Sequence, residues 1–153
     1  MPYEISILET PPHLVLRMSR TLRAENMGED VAMAMADLYQ RAGQAHLPVT
    51  GPPAITYRGE FRPDQPIEVD FTVPVGSADD TAGVIRQEAA TVATTRHRGA
   101  YDDIGAAHEA LDEWIRASGR HAAGPATETY LVGPDQAAGV DDLITEVSVP
   151  VDT

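Results

Sequence analysis

Two carboxylates that open two similar segments are the residues of this sequence best suited to chemistry. Asp70 begins the segment DFTVPV, and Glu146, 76 residues later, begins EVSVPV. Side chains alternate along a strand, so the valines share one side and the carboxylate shares the other side with Ser or Thr. A half-buried carboxylate can offset a ligand's positive charge, with an attraction of ~4 kcal/mol at about 4 Å and an effective dielectric near 20, before desolvation. The alternative interpretation is a solvated side chain on an exposed sheet face, and of the two carboxylates Asp70 is the weaker candidate because it is shorter.

The spacing of these segments recurs at other landmarks. Gly43 and Gly119 are also 76 residues apart, and Tyr57 and Tyr130 are 73 apart. A repeat of this length is too long for a typical solenoid and too short for two independent domains. We therefore expect one domain over residues 1–153 in which two similar halves share a core about a pseudo-two-fold axis, with their polar sheet faces meeting at a cleft.

Alternation, helical periodicity and turn residues predict the order β-β-α-β-β in both halves, which cover about residues 1–76 and 84–153. This pattern indicates an α+β fold: two pseudo-symmetric halves that form a curved antiparallel sheet with two helices. The helices are predicted at about 27–42 and 102–118, with Gly43 and Gly119 as their C-terminal stops. The predicted strands are 4–8, 13–19, 54–61, 67–75, 84–89, 91–97, 127–132 and 143–151.

Aromatic residues make up only 5% of the chain, so each placement matters. Tyr57 and Tyr130 occupy matching strands, where they either flank a planar cation, at about 0.5–2 kcal/mol per ring, or pack under the helices. Trp114 lies beside the apolar stripe of the second helix and is expected to pack in the core or to wall the cleft. Tyr101, at the start of that helix, is expected to staple the helix entry or to line the cleft rim.

Composition narrows the classes of function. The chain has no cysteine and a net charge of −13, which excludes thiol catalysis and disfavours direct binding to nucleic acid. It has no apolar run long enough for a membrane span and no secretory signal pattern, so we expect a cytoplasmic protein. The histidines lack metal-ligand spacing and no nucleotide fingerprint is present, so neither a metal nor a cofactor is predicted. A monomer is adequate, because the repeat is satisfied within one chain.

The second half also carries the motifs of a known family. These are RHRGAY at 96–101, Ile104-Gly105, Trp114, Ala123-Gly124-Pro125 and EVSVPV at 146–151. In this order they resemble the GyrI-like small-molecule-binding domain, also called the effector-binding domain of bacterial transcription activators. The resemblance covers nearly the whole chain and implies a duplicated strand-helix-strand-strand module.

The resemblance implies that hydrophobic, cationic aromatic molecules bind in a cleft between the halves, with Glu146 matching a glutamate of the last strand that faces the ligand. It implies multidrug-type binding. The sequence departs from the regulators of this family in lacking a DNA-binding extension, so a stand-alone binding protein is expected, and no protein partner is identified. Two alternatives remain open. One is a hydrolase of strained cyclopropane or other electrophilic natural products, with Glu146 as general base. The other is a gyrase-inhibitor-like interaction module whose acidic surface imitates DNA.

Overall fold

A computed structural model describes residues 3–59, 64–77 and 83–152 of the chain. The described strands are antiparallel and accompany two α-helices, so the α+β fold class is confirmed. The strands are β1 Ser6–Thr10, β2 His13–Leu22, β3 Ala54–Tyr57, β4 Ile67–Pro74, β5 Val84–Gln87, β6 Ala90–Arg98, β7 His121–Ala122, β8 Thr127–Val132 and β9 Ile144–Asp152, and the helices are α1 Met27–Gln44 and α2 Gly105–Ala117.

The chain divides into two compact units. Unit 1 combines Met1–Pro11 with Ala89–Thr153, and unit 2 is Pro12–Glu88. Within unit 1 the strand order is β1-β6-β9-β8, and within unit 2 it is β5-β2-β4-β3. Each unit therefore has a path of four antiparallel strands with one helix, in the same internal order, and in unit 1 the two-residue strand β7 also pairs with β9.

The edge strands of the units differ from the simple repeat along the chain. The first predicted strand pairs with β6 in unit 1, and the strand that opens the second half, β5, pairs with β2 in unit 2. The unit boundaries thus differ from the expected halves, 1–76 and 84–153, by this exchange of edge strands. Part of the connector between those halves, and residues 60 and 61 of the strand predicted over 54–61, lie outside the described residues.

In unit 2 the apolar side of the sheet packs under α1. Cross-strand pairing sets Met18 opposite Phe71 and Leu16 opposite Val73, and all four side chains are buried. Leu38 on α1 is fully buried as its periodicity predicts. In unit 1 the corresponding core joins α2 to β6 and β9 and comprises Ala93, Ala107, Leu111, Ile115, Val147 and Val151. The alternation that places valines beneath each helix is therefore as predicted.

The two helices end differently. Gly119 follows α2 with φ +79°, the left-handed conformation that a glycine adopts at little cost, so its predicted role as a stop is confirmed. The same prediction for Gly43 is wrong, because α1 continues through it to Gln44 and His46 takes the left-handed position with φ 56°. The Leu47 amide then bonds the Ala42 carbonyl at 2.9 Å and closes the helix end. Neither helix, within the described residues, has the length and apolar character needed to cross a membrane.

Candidate functional site

A buried carboxylate on β8 organises the polar residues of unit 1. Glu128 and Tyr130 are two residues apart on the strand and pair with Val147 and Thr145, so both lie on the sheet face that packs against α2. Glu128 is only 7% exposed. Its Oε1 accepts a hydrogen bond from the Tyr130 hydroxyl at 2.8 Å, and its Oε2 lies 2.7 Å from His108 Nε2. Each carboxylate oxygen is therefore held by one side chain, Tyr130 on the same strand and His108.

His108 reaches this carboxylate from α2. Its neighbour Ala107 and Leu111, one turn further on, are fully buried, which fixes the rotation of the helix over the sheet. Since a carboxylate only accepts, His108 Nε2 carries the proton of this hydrogen bond. The His108 side chain is 31% exposed, so the pair joins a buried carboxylate to a solvent-accessible imidazole.

Tyr101 brings a second phenol ring to the same place. The chain leaves β6 through Gly99, whose φ of +114° turns it sharply, and Tyr101 begins a short 3-10 turn. Its ring meets that of Tyr130 edge-on, with centroids 5.8 Å apart and an interplanar angle of 83°. Burial and then the negative charge of Glu128 raise the pKa of Tyr101 above its usual 10.0, so the phenol stays protonated at neutral pH. We call Glu128, His108, Tyr130 and Tyr101 the Glu128 cluster.

His97 fixes the turn that carries Tyr101. This residue is 4% exposed, and its Nε2–H donates to the Ala100 carbonyl at 2.9 Å while Nδ1 accepts from the Tyr3 hydroxyl at 2.9 Å. Both ring nitrogens are satisfied in a neutral imidazole, as expected for a structural histidine. No group of three or more possible ligand side chains that could hold a metal ion occurs in the described parts of the chain.

Glu146 lies on the opposite face of the unit 1 sheet. Alternation on β9 separates it from Val147, and it pairs across strands with Arg96 and Thr129. Its Oε2 is 3.5 Å from Arg96 Nε, and its side chain is 24% exposed. The predicted partnership of Glu146 with Tyr130 is therefore not seen within unit 1, because β8 directs Tyr130 toward α2. Trp114 packs against the α2 core, as its core interpretation predicts.

Asp70 and Tyr57 belong to unit 2, where they lie on opposite faces of its sheet. Asp70 is 9% exposed, accepts a hydrogen bond from Ser19 Oγ at 2.6 Å, and pairs with Arg58 at 3.2 Å. Tyr57 pairs across strands with buried Val69, on the face that packs under α1. Asp70 is thus a carboxylate already neutralised by an arginine, whereas Tyr57 has the helix-facing orientation that Tyr130 has in unit 1.

Comparison with known proteins identifies the family. The model of the GyrI-like small molecule binding domain matches residues 3–152. The chain belongs to this family. No curated protein matches the sequence.

Solved structures share the GyrI-like fold at low identity. The EcmrR C-terminal domain is 20% identical with a TM-score of 0.87, and the match covers 100% of this chain and 99% of that one. A hydrolase from Listeria innocua is 13% identical with a TM-score of 0.71, covering 99% of this chain and 94% of that one. SAV2435, solved bound to tetraphenylphosphonium, is 16% identical with a TM-score of 0.62 and the same coverage, 99% and 94%. At these identities the similarity establishes the fold.

Two surface hollows among the described residues of this GyrI-like chain lie away from the Glu128 cluster. One of about 250 Å³ in unit 2 is lined by Ser19, Arg20, Thr21, Arg58 and Glu68. Another, of about 450 Å³ in unit 1, is lined by Glu9, Thr10, Pro11, Ala89, Ala90 and Thr91. Neither of these two hollows includes a residue of the Glu128 cluster or Glu146, so the candidate site is argued from its side-chain chemistry.

The sequence predictions do not include Glu128, and they give His108 no role in the site. Glu128 stands two residues before Tyr130 in the predicted strand 127–132, and period-two alternation places both on one face. His108 and His97 are the histidines that invite a catalytic or metal-binding interpretation, but without metal-ligand spacing they are expected to be surface or internally satisfied histidines. The contact from His108 joins residues twenty positions apart and depends on how α2 packs. A carboxylate and a tyrosine at this spacing were the available signal for a shared site.

Proposed function

We propose that this GyrI-like protein binds hydrophobic, cationic aromatic small molecules at the Glu128 cluster. The observation that carries the proposal is a carboxylate, 7% exposed, between an imidazole and a phenol, with a second phenol ring packed edge-on against the first. The carboxylate supplies the counter-charge, and the rings supply faces and edges on which a planar or tetra-aryl cation can stack.

Burial and neighbouring aromatic rings favour Glu128 as the counter-ion. It is 7% exposed, and a phenol and an imidazole lie within hydrogen-bond distance of its carboxylate, whereas the Glu146 side chain is 24% exposed beside Arg96. Asp70 is similarly buried, and its described contacts are with Ser19 and Arg58. Glu146 therefore enters the proposal as the competing counter-charge, and the experiment below separates the two glutamates.

The family and its solved relatives support the class of ligand. The matching domain is described as small-molecule binding, and SAV2435 holds tetraphenylphosphonium, a cation with four aromatic rings. We extend the proposal to multidrug-type tolerance, since stacking and one charge specify little of a ligand's outline. A cytoplasmic protein that does not bind nucleic acid directly fits this role and the charge of −13. The predicted cleft between the sequence halves is not required, because the Glu128 cluster lies wholly within unit 1.

The test is titration of tetraphenylphosphonium against the wild type, Glu128→Gln and Glu146→Gln. Glu128→Gln keeps the side-chain shape and removes the charge, and should weaken binding by about 10- to 100-fold, the equivalent of roughly 1.4–2.7 kcal/mol. Glu146→Gln should bind within about twofold of wild type, because Arg96 already offsets that charge.

Tetraphenylborate, which has the same shape and the opposite charge, is the matched ligand control. It should bind weakly to the wild type and better to Glu128→Gln. Equal affinity of the wild type and Glu128→Gln for the phosphonium would remove Glu128 as the counter-charge. A loss confined to Glu146→Gln would instead assign the role to the residue predicted from the sequence.

A second candidate function is hydrolysis of an electrophilic or strained-ring ligand. The pairing of His108 Nε2 with Glu128 Oε2 at 2.7 Å supports it, since a carboxylate-oriented imidazole can act as a general base. The base takes a proton from water while the water oxygen bonds one ring carbon. The carbon–carbon bond of the ring breaks, and the carbon that leaves with the electron pair takes up that proton. Turnover of a cyclopropane-bearing substrate that is lost in Glu128→Gln and kept in Glu146→Gln would support this activity; absence of turnover in the wild type would exclude it.

A further inference from the structure

A buried hydroxyl next to the Glu128 cluster has no hydrogen-bond partner. Thr145 on β9 is 1% exposed, and its Oγ1 has no partner among the described residues. Cross-strand pairing sets it between His97 on β6 and Tyr130 on β8, in one row on the face that packs against α2. A hydroxyl can donate one hydrogen bond and accept two, so leaving it unmatched in the interior is unfavourable.

The neighbouring groups of this row already have other partners. His97 uses both ring nitrogens, on Tyr3 and on the Ala100 carbonyl. The Tyr130 hydroxyl donates to Glu128. Thr95 lies two residues before His97 on β6 and on the same face. It is 2% exposed, and its hydroxyl donates to the Glu4 carbonyl at 2.7 Å. On this face, the Thr95 hydroxyl therefore has a hydrogen-bond partner within the protein, whereas the Thr145 hydroxyl has none among the described residues.

We infer that Thr145 is a specificity-determining residue that hydrogen-bonds a polar group of the bound ligand. The inference rests on the proposed function, because it takes the Glu128 cluster as the ligand site. The substrate class narrows accordingly, to aromatic cations that carry a hydroxyl or carbonyl group on a ring. The positive charge is held by Glu128 and the ring by Tyr130, and the polar substituent lies one strand away, at Thr145.

The ligand reaches this hydroxyl by displacing side chains that cover it. Tyr101 is the most exposed member of the Glu128 cluster, at 38%, and it lies on a 3-10 turn rather than on a strand or helix. A ring that enters between Tyr101 and Tyr130 exchanges the edge-on contact of the two phenols for contacts with the ligand. Movement of Tyr101 therefore opens the path without disturbing β8 or β9.

The experiment compares tetraphenylphosphonium with triphenylphosphonium cations whose fourth ring carries one hydroxyl at the ortho, meta or para position. In the wild type at least one hydroxylated cation should bind about 5- to 20-fold tighter than tetraphenylphosphonium, the range of one buried hydrogen bond. Thr145→Val keeps the side-chain shape and should abolish that difference while leaving the affinity for tetraphenylphosphonium unchanged. Crystals of the complex should show the ligand hydroxyl within hydrogen-bond distance of Thr145 Oγ1.

Two matched variants control for the loss of a threonine hydroxyl. Thr94 has an unpartnered, buried Oγ1 on the opposite face, in the row of Ser148, so Thr94→Val should leave the ligand preference unchanged. Thr95→Val removes a satisfied hydroxyl, so it should lower the urea midpoint of unfolding, whereas Thr145→Val should not lower it without ligand. A fall for Thr145→Val as large as that for Thr95→Val would overturn the inference, since it would reveal an internal partner such as a buried water.

The remaining outcomes separate this inference from the proposed function. If tetraphenylphosphonium binds in a Glu128-dependent manner and none of the three hydroxylated cations depends on Thr145, the inference fails and the proposed function stands. If tetraphenylphosphonium does not bind the wild type, the proposed function fails, and the inference fails with it.

Discussion

The strongest structural prediction concerns His97, which ties the start of the chain to the turn that carries Tyr101. Replacing His97 with Phe keeps a planar ring near Tyr3, whose ring centroid lies 6.1 Å from that of His97, and removes both ring nitrogens. The Ala100 carbonyl and the Tyr3 hydroxyl then lose their 2.9 Å partners. Because both groups are partly exposed, water replaces some of the loss, and we expect unfolding to become easier by about 1–3 kcal/mol.

Tyr3→Phe separates the two hydrogen bonds. It removes one of them and should cost about 0.5–1.5 kcal/mol. The double variant should cost less than the sum of the single changes, with a coupling of about 0.5–1.5 kcal/mol, since both single changes remove the same bond. Urea denaturation followed by the fluorescence of Trp114, the single tryptophan of the chain, reports on this unit directly because that indole packs against its core.

His97→Phe should also weaken ligand binding, although it leaves the Glu128 carboxylate unchanged. Loosening the turn at Ala100 displaces the Tyr101 ring, and the loss of one cation–π contact predicts an affinity for tetraphenylphosphonium lower by about 2- to 5-fold, or roughly 0.5–1 kcal/mol. Additive stability effects of Tyr3→Phe and His97→Phe, or an unchanged phosphonium affinity in His97→Phe, would refute the argument that His97 positions Tyr101.

Two further predictions concern Tyr101 and the helix ends. Because the pKa of Tyr101 is raised in the folded protein, its contribution to stability is present below pH 10 and is lost as the pH rises through the folded pKa. When tyrosine ionisation is followed by absorbance at 295 nm, Tyr101→Phe should remove the phenol that ionises at high pH. Glu128→Gln should lower the pH at which that phenol ionises. Gly119→Ala should lower the free energy of unfolding by about 1 kcal/mol, and with it the thermal midpoint, because alanine is strained at a φ of +79°. Gly43→Ala, which lies inside α1, should raise the free energy of unfolding by about 0.5–1 kcal/mol. A common sign for the two alanine variants, or an unchanged phenol titration in Glu128→Gln, would contradict these expectations.

Local patterns predicted most of the elements but not the pairing of the edge strands. The strand over 127–132 and the helix stop at Gly119 follow from alternation and from backbone preference, which are properties of neighbouring residues. The pairing of β1 with β6 joins positions such as Ser6 and Thr94, far apart in sequence, so no local signal specifies it. The end of α1 could not be predicted either. A left-handed histidine after a helix is uncommon, so the sequence favours Gly43 as the stop, whereas the structure places the left-handed residue at His46.

The same distinction explains what was predicted of the site. Alternation correctly placed Glu146 on the side opposite Val147, yet it left open which side of the sheet carries the aromatic residues. That choice follows from the packing of α2, which also brings His108 to Glu128. Sequence periodicity assigns residues to faces, whereas only tertiary packing decides which face becomes a site. The sequence therefore points to Glu146 on one face, and the structure points to Glu128 on the other.

The construction of unit 1 also bears on how a tolerant binding site can retain selectivity for charge. Glu128 and Tyr130 lie on a strand within the sheet, and His108 lies on a helix anchored by Leu111, which is fully buried, so the carboxylate is held by regular structure. Tyr101 instead lies on a turn fixed mainly through His97 and Ala100. Under the proposed function the counter-charge therefore stays fixed while one aromatic wall adjusts to ligands of different outline. Variants that stiffen the turn should narrow the range of ligands, and variants at Glu128 should weaken all cations together.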